Sequence, residues 1–272
     1  MQKFKKSLFA TGLTIVLLYL AVCVYFYSIQ NSILFSPWPL DEGHEYSYEF
    51  DFEERWFDVT DGARIHGILA KTPDSSKGLV IYYHGNGGND DTDPEKFLLF
   101  MREGYDLLYP DYRGFGLSTG KLKNEEDLVG DMKIVYSEMT KEYQEENIFI
   151  IGYSMGSGIA AQVAAENNPK GIMIWAPYYS MVDMKNKDYP FLPSFLMRFP
   201  LRTDLAIPKI DEPITIFYAG EDEILPVERS IKLTEFLKDS DEFIVLDRQK
   251  HGGIFYNDEL RRRIPEILEG NN

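Results

Sequence analysis

The chain of 272 residues is 44% apolar and 14% aromatic, enough to bury one substantial core and short of two ordinary domains. Its 44 acidic residues against 28 basic ones leave a net charge of -16, which excludes an electrostatic grip on nucleic acid. A single cysteine, Cys23, permits neither an intramolecular disulfide nor a Cys-rich zinc site, and the absence of repeats and low-complexity runs excludes solenoid, coiled-coil and disordered classes.

Residues 1–6 hold Lys3, Lys5 and Lys6 and read as a cytoplasmic basic tail. Ser7 to Tyr27 follows without a charge, matching the roughly 20 residues that a helix needs to cross a hydrocarbon core. A cleaved signal has a shorter apolar centre and small residues at its exit, whereas Tyr25, Phe26 and Tyr27 close this segment like an interfacial aromatic belt. An uncleaved anchor over 7–27 is therefore expected. Leu20-Ala21-Val22-Cys23 is a poor lipoprotein box, since Val22 is bulky and apolar residues continue past the cysteine. With three lysines before the span and Asp41 and Glu42 first after it, the N-terminus should be cytoplasmic and the rest of the chain outside. Taking those lysines away leaves -19 on the remainder, which anionic lipid heads repel, so the anchor rather than an adhesive surface should hold the domain at the bilayer.

Pro37 and Pro39 around Trp38 mark 28–45 as a juxtamembrane stalk, and the folded domain is expected over 46–272. Two strands, near 48–59 and 64–71, form a hairpin across Asp61-Gly62. Short apolar runs then follow at 78–83, 105–109, 147–152, 171–175, 214–218 and 242–246. Amphipathic segments lie between and after them near 94–103, 124–142, 155–166, 226–238 and 255–268. Continuous apolar strands alternating with helices predict a mostly parallel α/β sheet of about eight strands with helices on both faces. Ligands of such sheets sit at the carboxyl ends of the strands.

The strand at 147–152 runs into Gly152-Tyr153-Ser154-Met155-Gly156 and then into the alanine-rich helix. A serine on so sharp a turn needs neighbours without side chains, because the following helix passes close to the strand, and its hydroxyl lies at a helix N-terminus. Ser154 is the candidate nucleophile. It needs a base and an orienting carboxylate. Of the four histidines, His44 falls in the stalk, His66 in an early strand as an ordinary surface or half-buried side chain, and His84 at an earlier strand end. His251, after the last strand in Gln249-Lys250-His251-Gly252-Gly253, is the candidate base. Asp222 is the candidate acid in Gly220-Glu221-Asp222-Glu223, with Asp247 as runner-up and Glu221 and Glu223 as solvated neighbours. The backbone N–H of Met155 supplies one oxyanion donor, and the loop His84-Gly85-Asn86-Gly87-Gly88 supplies the other, Asn86 first. That loop lacks the Lys-Ser/Thr of a P-loop and a correctly spaced G-x-G-x-x-G, so no nucleotide, cofactor or metal is implied.

These residues, with Asp111-Tyr112-Arg113-Gly114-Phe115-Gly116-Leu117-Ser118, resemble the α/β-hydrolase superfamily over nearly the whole chain. The likeness is to its single-pass, membrane-anchored serine hydrolase branch with a small cap and to bacterial relatives described as serine peptidases or esterases. It implies Ser154 as nucleophile, Asp222 as acid, His251 as base, Asn86 and Met155 at the oxyanion hole, and Arg113 as a structural arginine beneath the site. The second glycine in Gly87-Gly88-Asn89 departs from the usual pattern and allows the second donor to shift by one position. The cap is expected at about 178–208, where Phe191, Phe195 and Phe199 either line an acyl pocket or pack the cap on the sheet.

The expected function is a serine hydrolase cleaving an ester, thioester or amide through an acyl-enzyme. An acyltransferase on the same triad and a non-enzymatic module of this fold are the alternatives. Haloalkane and epoxide chemistry, which places an aspartate at the elbow, is excluded by Ser154. The expected substrate is a small acyl compound, lipid-derived and presented at the membrane, with turnover falling as the acyl group outgrows a small cap.

Overall fold

The computed structural model describes residues 2–270. The charge-free segment forms part of one long helix, α1, over Gln2–Leu34. It is the one helix among the described residues long and apolar enough to cross a membrane. It extends past the expected anchor, so residues 28–34, expected in a stalk, are helical. Pro37, which can neither donate a backbone hydrogen bond nor continue a helix, follows three residues after its end.

The sheet has eight strands: β1 Phe52–Asp58, β2 Arg64–Ala70, β3 Leu79–Tyr83, β4 Asp106–Pro110, β5 Ile148–Tyr153, β6 Gly171–Trp175, β7 Ile214–Ala219 and β8 Glu242–Leu246. Their order across the sheet is β8-β7-β6-β5-β3-β4-β2-β1. The hairpin β1-β2 and the pair β2-β4 are antiparallel, and every other pair is parallel. The central strands β3, β4 and β6 are buried along their whole length, as continuous apolar runs require when helices cover both faces.

Helix α2 spans Glu95–Arg102, α3 Asp131–Met139 and α4 Met155–Ala164. The segment before α3 winds more widely, as a π-turn over Glu126–Gly130, which brings both Asp127 and Asp131 to Arg113. The helix expected at 226–238 is instead one α-turn, Val227–Ser230, followed by a 3-10 stretch, Ile231–Phe236. The tighter winding repeats every three residues and puts buried Leu233 and half-buried Phe236 on one side, against the core. In the cap, α5 spans Met181–Asp188, its first turn held by Ser180 Oγ accepting from the Asp183 N–H at 3.0 Å. The chain closes on α6, Asp258–Leu268, capped by the Asn257 side chain.

Candidate active site

The turn at Ser154 is held by two close backbone approaches. A Cβ on Gly152 would lie 2.4 Å from the Gly156 carbonyl oxygen, and a Cβ on Gly156 would lie 2.1 Å from that of Tyr83. Only glycine fits either position. Between them Ser154 takes φ 52° and ψ -117°, in the region that side-chain-bearing residues avoid, so its hydroxyl stands out at the junction of β5 and α4.

His251 Nε2 lies 2.9 Å from Ser154 Oγ, and His251 Nδ1 lies 2.7 Å from Asp222 Oδ2. Asp222 is 6% exposed, and its other oxygen accepts from the backbone N–H groups of Ile224 at 2.9 Å and Leu225 at 2.7 Å, which fixes the carboxylate plane. Asp247, the runner-up, is exposed and faces Arg248. Glu221 and Glu223 are also exposed. The loop carrying His251 is tied back by the Tyr153 hydroxyl, which donates to the His251 carbonyl at 3.0 Å. Burial pushes the Tyr153 phenol up to about 12, which keeps it a donor near neutral pH. Sequence reasoning passed over Tyr153, although its place beside the serine is a sufficient pointer.

The loop after β3 lies beside the serine, since a Cβ on Gly85 would be 3.6 Å from Ser154 Cβ. Asn86, Gly87, Ser154 and Met155 line the same cavity. The Asn86 carbonyl accepts from the Ser36 N–H at 2.7 Å, and Ser36-Pro37 pairs with Gly87-Gly88 as a short parallel ladder. The segment after α1 thus clamps the loop. It was expected as a stalk and is instead packed into the domain, with Phe35 buried between Phe115 and Phe199.

Beneath the loop, His84 stacks on Tyr112 and its Nδ1 donates to the Gly85 carbonyl at 2.9 Å. Burial pushes His84 down to about 3, so the ring is neutral. Its Nε2 faces Asp111 Oδ1 at 3.4 Å, and burial beside Asp90 raises the Asp111 carboxyl well above the usual carboxylate range. His66 differs from its expected surface or half-buried place: it is fully buried, with Nδ1 2.5 Å from Asp90 Oδ2. Tyr46 donates to the same carboxylate at 2.6 Å. Arg113 is 3% exposed and forks onto Asp131 through Nε at 2.6 Å and NH2 at 2.7 Å, with no contact to the serine.

A cavity of about 510 Å3 opens over Ser154 and His251. Phe191, Phe195 and Phe199 are not among its lining residues. Phe199 is buried in the core, Phe191 packs on Phe26 of α1, and Phe195 is 85% exposed. The cap walls are Met181, Met184, Leu192, Leu196 and Met197, and the facing wall is α1 itself.

Residues 74–207 match the family model described as serine aminopeptidase, S33. A Mycobacterium tuberculosis protein described as uncharacterized is 24% identical over 78% of this chain and 73% of its own length. The zebrafish (Danio rerio) lysophosphatidylserine lipase ABHD12 is 23% identical over 74% of this chain and 62% of its own length. Among solved structures, an esterase of Pyrococcus furiosus superposes with a TM-score of 0.69 at 19% identity, covering 87% of this chain and 97% of that one. Together these matches support a hydrolase. With an elbow between β5 and α4 and a sheet ordered as described, the chain has the α/β-hydrolase fold.

Proposed function

We propose that the protein is a membrane-anchored serine esterase working through Ser154, His251 and Asp222. The observation that carries this reading is the unbroken line from Ser154 Oγ through His251 to Asp222, with steps of 2.9 and 2.7 Å, at the floor of an apolar cavity. His251 Nε2 takes the serine proton as Oγ attacks the ester carbonyl. The N–H groups of Met155 and Asn86 hold the oxyanion. Collapse breaks the ester bond, and the proton on His251 passes to the departing alcohol. Water then attacks the acyl-enzyme with His251 again as base, releasing the acid and restoring Ser154. The zebrafish relative's name supports a lipid-derived ester as substrate. In the membrane, α1 is the anchor, with Lys3, Lys5 and Lys6 on the cytoplasmic side and the domain outside.

The test uses the full chain. Ser154→Ala should abolish fluorophosphonate labelling and ester turnover with the fold intact, and labelling that persists would move the nucleophile elsewhere. Asp222→Asn should lower kcat by roughly 10⁴-fold, and Asp247→Asn should leave it within about twofold. The reverse outcome would reassign the acid.

A further inference from the structure

Cys23, Phe26, Gln30 and Leu34 are spaced by three and four residues, so they share one face of α1. All four line the cavity that also contains Ser154 and His251. Cys23 is 7% exposed although the residues on both sides of it are exposed. Along a helix rise of 1.5 Å per residue, Cys23 to Leu34 supplies a wall roughly 16 Å long. At the serine end stand Gly85 and Asn86, and at the far end Tyr189 and Leu192 of the cap.

The far end reaches membrane depth. Tyr19 lies well inside the charge-free segment, and its hydroxyl donates to the Phe191 carbonyl at 2.9 Å. Phe26 packs on Tyr189 and Phe191 at 5.0 and 5.8 Å between ring centroids. The cap loop therefore runs alongside the part of α1 that the bilayer must cover. Its surface suits that place: Phe191 is 49% and Phe195 85% exposed, and Lys185 Nζ donates to the Leu192 carbonyl at 2.7 Å, pairing a backbone group away from water.

We infer that α1 is a wall of the acyl pocket, and that the single acyl chain of a bilayer ester reaches Ser154 sideways, between α1 and the cap, without leaving the leaflet. This rests on the esterase reading and adds route and substrate class to it. It replaces the expectation that turnover falls once the acyl group outgrows a small cap, since the cavity continues along the anchor. A volume of about 510 Å3 lies within the roughly 300–1,000 Å3 of ligand pockets. It suits one chain, so the substrate is a single-chain ester.

The test places the full chain in nanodiscs of neutral phosphatidylcholine. Turnover is followed on monopalmitoylglycerol in the disc and on soluble p-nitrophenyl butyrate. Cys23→Trp fills the wall: kcat/KM for the palmitoyl ester should fall by about tenfold or more, while that for butyrate stays within about threefold. Met184→Trp, from the opposite wall, should repeat the split. Fluorophosphonate labelling reports folding, and Cys23→Phe replaces a variant that does not label. Unchanged palmitoyl turnover, or equal loss on both esters in a labelled variant, would overturn the inference. Separately, the added fluorescence of Phe195→Trp should be quenched by lipids brominated along their acyl chains, and a signal quenched only by aqueous quenchers would overturn the placement of the cap. A native protein inactive on both esters would refute the esterase reading, while the quenching result would still judge the cap.

Discussion

The two ends of α1 meet different surroundings. From Lys3 to Val22 every side chain is exposed, including Leu8, Phe9, Leu13 and Ile15. From Cys23 to Leu34 one face is covered by the domain, and polar residues appear on it. Gln30 donates to the Leu196 carbonyl at 2.8 Å and accepts from the Arg198 N–H at 2.8 Å, while Asn31 donates to the Leu122 carbonyl at 2.6 Å. Apart from the three lysines at its start and the Tyr19 hydroxyl, the first part asks only for a solvent of hydrocarbon, and its identity matters little beyond being apolar. The second part asks for particular neighbours. A segment that reads as an anchor in sequence can thus be bare over one half and packed on the domain over the other.

Four experiments press on this contrast, beginning with the largest effect. Removing residues 1–43 deletes the helix face, Phe35 and the clamp on the loop after β3, so ester turnover should fall by more than about a hundredfold, including on soluble substrates. Replacing residues 8–18 with leucines in the full chain should leave turnover unchanged. Full activity in the fragment would erase the contrast.

Next, Phe35→Ala removes a ring 7% exposed between Phe115 and Phe199, and should cost roughly 3–5 kcal/mol in denaturant unfolding followed in detergent. Leu17→Ala, on an exposed part of α1, should shift the same midpoint negligibly.

Third comes pH. His84 has a folded pKa of about 3, below its ordinary 6.5, so the unfolded chain binds the extra proton first. The stability of its neutral form is present above 6.5 and is lost as pH falls from there towards 3. His84→Gln should flatten that window in acid unfolding curves. An unaltered slope would locate the acid sensitivity in other groups.

The smallest effect is at Gln30. Gln30→Ala leaves the Leu196 carbonyl and the Arg198 N–H without their side-chain partner, at a cost of about 1–2 kcal/mol. Thr14→Ala, whose hydroxyl only donates to the Ala10 carbonyl within the helix, should be silent. Equal effects at the two positions would mean that both ends of α1 are mere tether.

The contrast also explains what was legible in the sequence. The sheet could be read because each buried strand writes a continuous apolar run, and the turn at Ser154 because two backbone approaches tolerate nothing but glycine. Periodicity is silent where every residue is apolar, so Cys23 and Phe26 were hidden inside a span that reads as uniformly greasy, and Leu34 fell in the segment expected as a stalk. Ser28, Gln30, Asn31 and Ser32, just past the span, broke that uniformity. His66 was misjudged because its partner Asp90 lies 24 positions away and on a loop. Phe191, Phe195 and Phe199 show the limit of counting aromatics: three similar side chains in nine residues end up against α1, in the open and in the core. At 226–238 local pattern gave a helix, while packing of Leu233 selected the tighter winding.

The ties from Tyr19, Gln30 and Asn31 to the domain have a geometric result. A body hung on a flexible tether samples all attitudes towards the membrane, whereas under the anchoring proposed for α1 a body bolted to its own membrane helix keeps a single attitude and a single height. Ser154 is then held at a set level relative to the lipid leaflet. Lipids would be sorted by where their ester bonds sit along the membrane normal, and a change in bilayer thickness or helix tilt would retune that choice without touching a residue of the site.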